Sequence, residues 1–539
     1  MEVLQGVGEI PWEMVVLAAL SLSLGWGIRG NFGHETGAAL PGALATMAVV
    51  LLSGRPDWYE RIAFFAMFGA LGWSFGGSMS YMHVVGYTHS GHSGSILYGY
   101  ANLFLIGFLW AALGGLGAAL PAVLTGEQLA AFLVPFLAVF VAWALKEILV
   151  DSFYQTNPMR RHESPLYWYD TDWLDVLFAV AAVLLVVLVR GGFDIATSLI
   201  LYMGVGWYAA FLLLVNVFKL RMTPPRGDNW SGCVGLVAGA LVFTWRYGMP
   251  EIAFAMLLTG FVGGIGYALA QLLKLIGLRT GRQTNWHSVL EQLQGLFYGI
   301  GLALTLGLLA MRLPKADGIA ALPNWGHLFA VGFVLILLTY VNHRKAVGTW
   351  IEQVASLPER LYGIPAAGYF LRSKGWFGWF ELGYLAVAAA LLGVLALHSR
   401  SPLPFIPPTW LGKGALLYLV FLWWIVVFNF ERALTGFTPQ RLITEGVILL
   451  NAAFSTLFLA WAIGRVGSPQ TVAFGTSGAA VRDVALWGTL LALVFALAEW
   501  GATRLLYGDR HAPGAGLHIR FGPNATVTKE RPKSGERHP

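Results

Sequence analysis

Apolar stretches long enough to cross a bilayer recur about fifteen times along this 539-residue chain. A helix needs about 20 such residues to span the hydrocarbon core, where only intrahelical bonding satisfies the backbone. With charges, prolines and Asn/Gly clusters taken as breaks, the stretches run over 12–29, 36–54, 61–85, 95–120, 128–149, 173–190, 195–218, 230–247, 251–275, 288–311, 325–342, 376–398, 413–430, 443–464 and 484–506. The Gly-rich second and eighth also suit re-entrant segments. The expectation is therefore an all-α polytopic integral membrane protein with about 13–15 transmembrane helices. Composition agrees: only 12% of residues are charged, against roughly a quarter in soluble proteins.

The surplus of six positive charges is a topological signal rather than a nucleic-acid footprint. Residues 1–13 hold three acids and no Lys or Arg, so they lack the basic region of a signal peptide and read as the outer flank of the first span. With the N-terminus outside and fifteen spans, 24 of the 34 Lys and Arg fall in the cytoplasm, as the positive-inside rule requires. Residues 507–539 then form a basic, disordered cytoplasmic tail in a cell-membrane protein. A single cysteine, Cys233, permits no internal disulfide and no cysteine zinc framework. No cofactor motif is present, and the expected partners are the lipid bilayer and a small-molecule or lipid substrate.

Short matches recur in order. Arg29-Gly30 and Gly42-Ala43-Leu44 return at Arg226-Gly227 and Gly239-Ala240-Leu241, Ser95-Ile96-Leu97 at Ser288-Val289-Leu290, and Ala179 to Ala182 at Ala386 to Ala389. A third, partial copy matches Leu201-Tyr202 and Trp207 to Leu417-Tyr418 and Trp423. The pattern reads as a parallel internal duplication of a six-span unit: 1–194, 195–400 and a partial third copy at 401–506. An even number of spans keeps the copies parallel, as in one class of transporters.

Polar groups at membrane depth are costly and so mark function. They gather on the cytoplasmic side. The turn from Gly25 to Gly37 combines released backbone, the Arg29 charge, Asn31, His34 and Glu35 with the start of the next helix near Glu35, whose free N–H groups favour an anion. Its counterparts are Arg226 with Asp228, and Arg441. The segment Gly76 to Gly94 holds His83, His89 and His92 and no Lys, Arg, Asp or Glu. It suits a substrate or proton contact near neutral pH; His89 and His92 alone are too few for a metal site. Arg29, Asn31, His34, Glu35, His83, His89, His92, Arg226, Asp228 and Arg441 are the candidate substrate-binding residues. Glu291 and Glu499 are the candidates for proton coupling, although a helix dipole alone also favours Glu291 at its helix start. The loop from Lys146 to Trp173 carries Arg160, Arg161 and an Asp170-Thr171-Asp172 pair suited to a divalent ion on a phosphate-bearing substrate.

Three functions follow. The first is a transporter, with proton coupling, for a small anionic or phosphate-bearing solute. The second is a membrane transferase or hydrolase acting on a lipid or lipid phosphate at the cytoplasmic face. For it, Arg29 to Glu35 and Gly77 to His83 resemble signatures of prolipoprotein diacylglyceryl transferases over about a dozen residues, in reversed order and in a chain with about twice as many spans. The resemblance implies lipid-directed chemistry at those two motifs. The third is a scaffold subunit of a membrane complex.

Overall fold

The computed structural model describes residues 6–29, 35–79, 81–151, 172–220, 222, 229–315, 324–342, 379–404, 406–435, 439–469 and 477–514, with the backbone alone at 35, 151, 324, 379–385, 430–435, 439–445 and 477. Its principal helices are α1 (Trp12–Arg29), α2 (Glu35–Leu51), α3 (Ile62–Phe75), α4 (Met82–Thr88), α5 (Ser93–Val123), α6 (Leu133–Lys146), α7 (Asp172–Arg190), α8 (Ile195–Ala210), α9 (Asn229–Arg246), α10 (Pro250–Arg279), α11 (Trp286–Arg312), α12 (Asn324–Gly332), α13 (Trp379–Arg400), α14 (Trp410–Thr435), α15 (Pro439–Ala462) and α16 (Ser477–Tyr507). Each of the fifteen expected stretches coincides with one of these helices or with a bent pair, and no strand occurs among the described residues. Nine helices among the described residues are long and apolar enough to cross a membrane. The protein is a multi-pass membrane protein by that measure. The pair Ile62–Ser78 and Met82–Thr88 adds a tenth span if its two halves, bent by 64°, act as one. The bend divides the expected stretch 61–85 into two helices. Gly76 and Gly77 supply a cheap break, and a side chain at Gly76 would collide with the Trp110 indole.

Helix ends are set locally. The Asp194 carboxylate accepts from Thr197 N at 2.8 Å to cap α8, and the Asn285 side chain accepts from Ser288 N at 3.2 Å to cap α11, each satisfying an otherwise orphaned N–H.

Six helices close a ring in which each packs on the next: α1 on α2, α2 on α3, α3 on α5, α5 on α10, α10 on α11, and α11 back on α1. Association between apolar helices in lipid depends on close packing and interhelical hydrogen bonds rather than on water exclusion. Gly295 of α11 shows the closeness, since a Cβ there would lie 2.5 Å from the Leu22 carbonyl oxygen of α1. Polar contacts tie the ring together and to its neighbours. Thr259 bonds Thr305 at 2.9 Å between α10 and α11, Ser21 of α1 bonds Tyr418 of α14 at 2.8 Å, and Asn451 of α15 donates to the Leu20 carbonyl at 3.1 Å.

Outer helices invert the soluble pattern. On α7, Leu188 and Val189 are 77% and 80% exposed, and α16 turns Leu486, Trp487, Val494 and Leu505 outward. Such a surface is a liability in water and costs nothing against lipid tails.

Two polar layers lie at opposite ends of the ring. At one, Arg55 donates to the carbonyls of Ala310, Leu313 and Pro314 at 2.7–2.9 Å and pairs with Asp57, while Arg61 donates to those of Pro121 and Leu124 at 3.1 and 2.6 Å. These buried arginines close the C-terminal ends of α11 and α5, where free carbonyls carry the negative end of the helix dipole. The other layer holds Arg29, Tyr81, His89, Glu291 and Arg504.

Candidate functional site

Arg29 is the last residue of α1 and is completely buried. One guanidinium nitrogen, Nη2, donates to the Tyr81 hydroxyl at 2.7 Å and to Glu291 Oε1 at 3.0 Å. The Tyr81 hydroxyl donates in turn to the same Glu291 oxygen at 2.7 Å. Arg29 and Glu291 therefore form a buried ion pair between α1 and α11, closed into a triangle by the tyrosine at the α3–α4 break. The Arg29 carbon Cζ also lies 4.9 Å from the Trp110 ring centre, 5.3 Å from that of Trp26 and 5.5 Å from that of Tyr81. Desolvated cation–π contacts of this kind contribute up to about 2 kcal/mol each. The rings are themselves interlocked: Trp26 meets Trp73, Trp110 and Tyr298 edge-on at 4.9–5.5 Å, and Tyr81 meets Tyr267 at 5.8 Å.

Hydrogen bonding in this aromatic box is incomplete, and the shortfall has a sign. Among the described residues, Arg29 Nε and Nη1, the Trp26 and Trp73 indole nitrogens and the Tyr267 hydroxyl meet no partner; of the acceptors, Gln294 Oε1 is in the same position, its Nε2 donating to Tyr298 at 2.8 Å. Each unmade bond of a buried group costs about 1–3 kcal/mol. Donors outnumber acceptors around a fixed cation. The chemistry suited to that set is an anion with several lone pairs.

At the same end, His89 follows α4 in the turn before α5 and is 4% exposed. Its carbonyl accepts from Ala512 N at 3.0 Å, and its ring sits between the Pro513 carbonyl at 3.0 Å from Nδ1 and the Gln271 amide nitrogen at 3.1 Å from Nε2. Those partners fix the neutral tautomer, with Nδ1–H donating and Nε2 accepting. The segment after α16 is thus fastened over the turn, and Arg504 adds a bond to the Gly91 carbonyl at 3.2 Å. Only glycine suits position 91, where φ is +70° and a Cβ would stand 2.7 Å from the Asp509 carbonyl oxygen.

Burial, reinforced by the Lys274 charge, pushes the His89 imidazole down from 6.5 to about 4, against the opposing effect of the carbonyl contacts. A lowered folded-state value means the neutral ring is favoured by folding. The stabilisation is complete above about pH 6.5, declines as pH falls and is gone below about pH 4. Thermal unfolding of the wild type minus that of His89→Gln will show a deficit that grows across this window to about 2–3 kcal/mol. A flat difference removes His89 from the account.

The remaining sequence candidates separate. His92 caps α5, its Nδ1 accepting from Ser95 N at 3.2 Å. His83 lies half-buried on α4. Glu499 of α16 is 2% exposed, with neither carboxylate oxygen bonded to a described residue, near the Tyr100–Thr503 hydrogen bond of 2.7 Å. Arg504 pairs instead with Asp509. Lys146 pairs with Asp175 at 3.1 Å. Asn31, His34, Arg226, Asp228, Asp170 and the rest of 152–171 lie outside the described residues, and at Glu35 and Arg441 only the helix backbone is described, Glu35 opening α2. Among the described residues, no three His, Cys, Asp or Glu side chains converge as a metal site.

Sequence reasoning assigned Arg29 and Glu291 to separate tasks; the fold joins them. It passed over Tyr81, Tyr267, His287 and the tryptophans, which read as ordinary aromatic content. His287 alone carried a signal, one helical turn before Glu291. In comparisons with known proteins, no family model, no curated protein and no solved structure matches the chain.

Proposed function

We propose that this protein is a transporter that carries a small monovalent anion together with a proton, with Arg29 as anion site and Glu291 as proton site. The observation that carries this reading is the completely buried Arg29 guanidinium, half paired with Glu291 and half facing no acceptor among the described residues. With Glu291 ionised the pair is neutral. A proton on Glu291 leaves one fully buried positive charge, which costs several kcal/mol unless compensated. An anion supplies the compensation, so proton and anion favour each other's binding. The preference of Lys and Arg for one side supports placing this end in the cytoplasm, with the N-terminus outside, and the ordered sequence matches support the duplicated six-span unit.

The test is uptake into proteoliposomes of a panel of radiolabelled or electrode-detected anions (chloride, nitrate, phosphate, acetate and lactate) with an inward proton gradient. At least one is expected to be driven inward by the wild type, and Arg29→Gln should reduce that flux about a hundredfold or more. Equal uptake by Arg29→Gln, or no flux with any of them while a supplied lipid is converted, rejects the proposal.

A further inference from the structure

His287 stands between the buried pair and the water. Its side chain is 39% exposed, that of Glu291 7% and that of Arg29 0%, a graded series leading inward from the first turn of α11. The His287 Nε2 atom lies 3.6 Å from Glu291 Oε1, and its ring stacks on Tyr81 with centres 6.2 Å apart and planes 21° from parallel. The Nδ1 atom is buried and meets no partner among the described residues. A side-chain rotation closes 3.6 Å to hydrogen-bonding distance at the oxygen to which Tyr81 and Arg29 already donate.

We infer that His287 is the relay through which a proton passes between water and Glu291. The inference rests on the proposal that Glu291 takes up a proton. In the step, Nε2 of the ring gains a proton from solvent, the Nε2–H bond breaks as an O–H bond forms at Glu291 Oε1, the Tyr81 hydroxyl gives up its hydrogen bond to that oxygen, and the ring returns to neutral. The titratable and charged groups around His287 are Glu291 on its own helix, Arg29 on α1, Tyr81 at the α3–α4 break and Lys274 on α10. The two cations discourage a lasting charge on the ring and Glu291 attracts one, which suits a group that passes a proton on. His287 acts through Glu291 and is a positioning and relay residue, not an anion ligand.

The test is time-resolved infrared difference spectroscopy of the full-length protein after an acid jump, following the C=O stretch of protonated carboxyl groups. In the wild type a component is expected that Glu291→Gln removes. In His287→Ala the same component should reach the same final amplitude about a hundredfold more slowly, and added imidazole should restore the rate. An unchanged rate in His287→Ala overturns the relay, as does slowing that imidazole does not rescue, since a merely structural role gives that result. If Glu291→Gln keeps the whole band, Glu291 takes no proton and the proposed coupling fails in its own right.

Discussion

Glu291→Ala will lower the thermal unfolding midpoint by several degrees, the largest loss expected from any single side-chain truncation in the Arg29 site. Removing the carboxylate leaves a fully buried guanidinium with the Tyr81 hydroxyl as its one hydrogen-bond acceptor among the described side chains, and breaking a buried pair this way costs about 3–5 kcal/mol. Two further variants separate charge from packing. Glu291→Gln keeps an oxygen that accepts from Arg29 and Tyr81 and should lose less. The double variant Arg29→Met with Glu291→Leu removes both charges and should recover most of the stability lost in Glu291→Ala, because replacing a buried pair with apolar groups is often neutral. Cys233, the chain's single cysteine, is 1% exposed, so its reaction with a thiol-specific fluorophore reports unfolding with no added label. A Glu291→Ala midpoint equal to wild type would show that the pair contributes nothing.

What the sequence discloses and what it withholds follow from the same physics. A membrane helix satisfies its own backbone, so its existence is written in one contiguous apolar run, and each of the fifteen runs meets a helix. Lateral partners are not written that way. α1 and α11 are 262 positions apart at Arg29 and Glu291, and an apolar run all around a helix does not say which face meets which neighbour. The glycines at the contact were readable as small residues, but nothing local indicates that Gly295 meets Leu22. The same limit governs the site. Arg29 was conspicuous because charge is scarce in this chain, whereas Tyr81 and the indoles blend with an aromatic content of 14%. His92 caps a helix, and capping leaves the same polar mark in a sequence as a binding role. The partners that hold the His89 ring, Gln271 and Pro513, are 182 and 424 positions away, beyond any periodicity.

The pH dependence of anion binding separates an anion site from an ion pair kept only for structure. If proton and anion bind together at Arg29 and Glu291, the apparent dissociation constant of the anion falls about tenfold for each unit of decreasing pH, one proton per anion, until Glu291 is protonated without it. Glu291→Gln imitates the protonated carboxyl: it should bind tightly at all pH values and lose the slope. Arg29→Gln should not bind. The decisive measurement is the stabilisation of the purified protein by increasing anion concentration, read by Cys233 labelling at a series of pH values for the wild type and these two variants. The account predicts a slope of one proton in the wild type, none in Glu291→Gln and no stabilisation in Arg29→Gln. Stabilisation of Arg29→Gln equal to that of the wild type, or a wild-type affinity that does not change with pH, would contradict it.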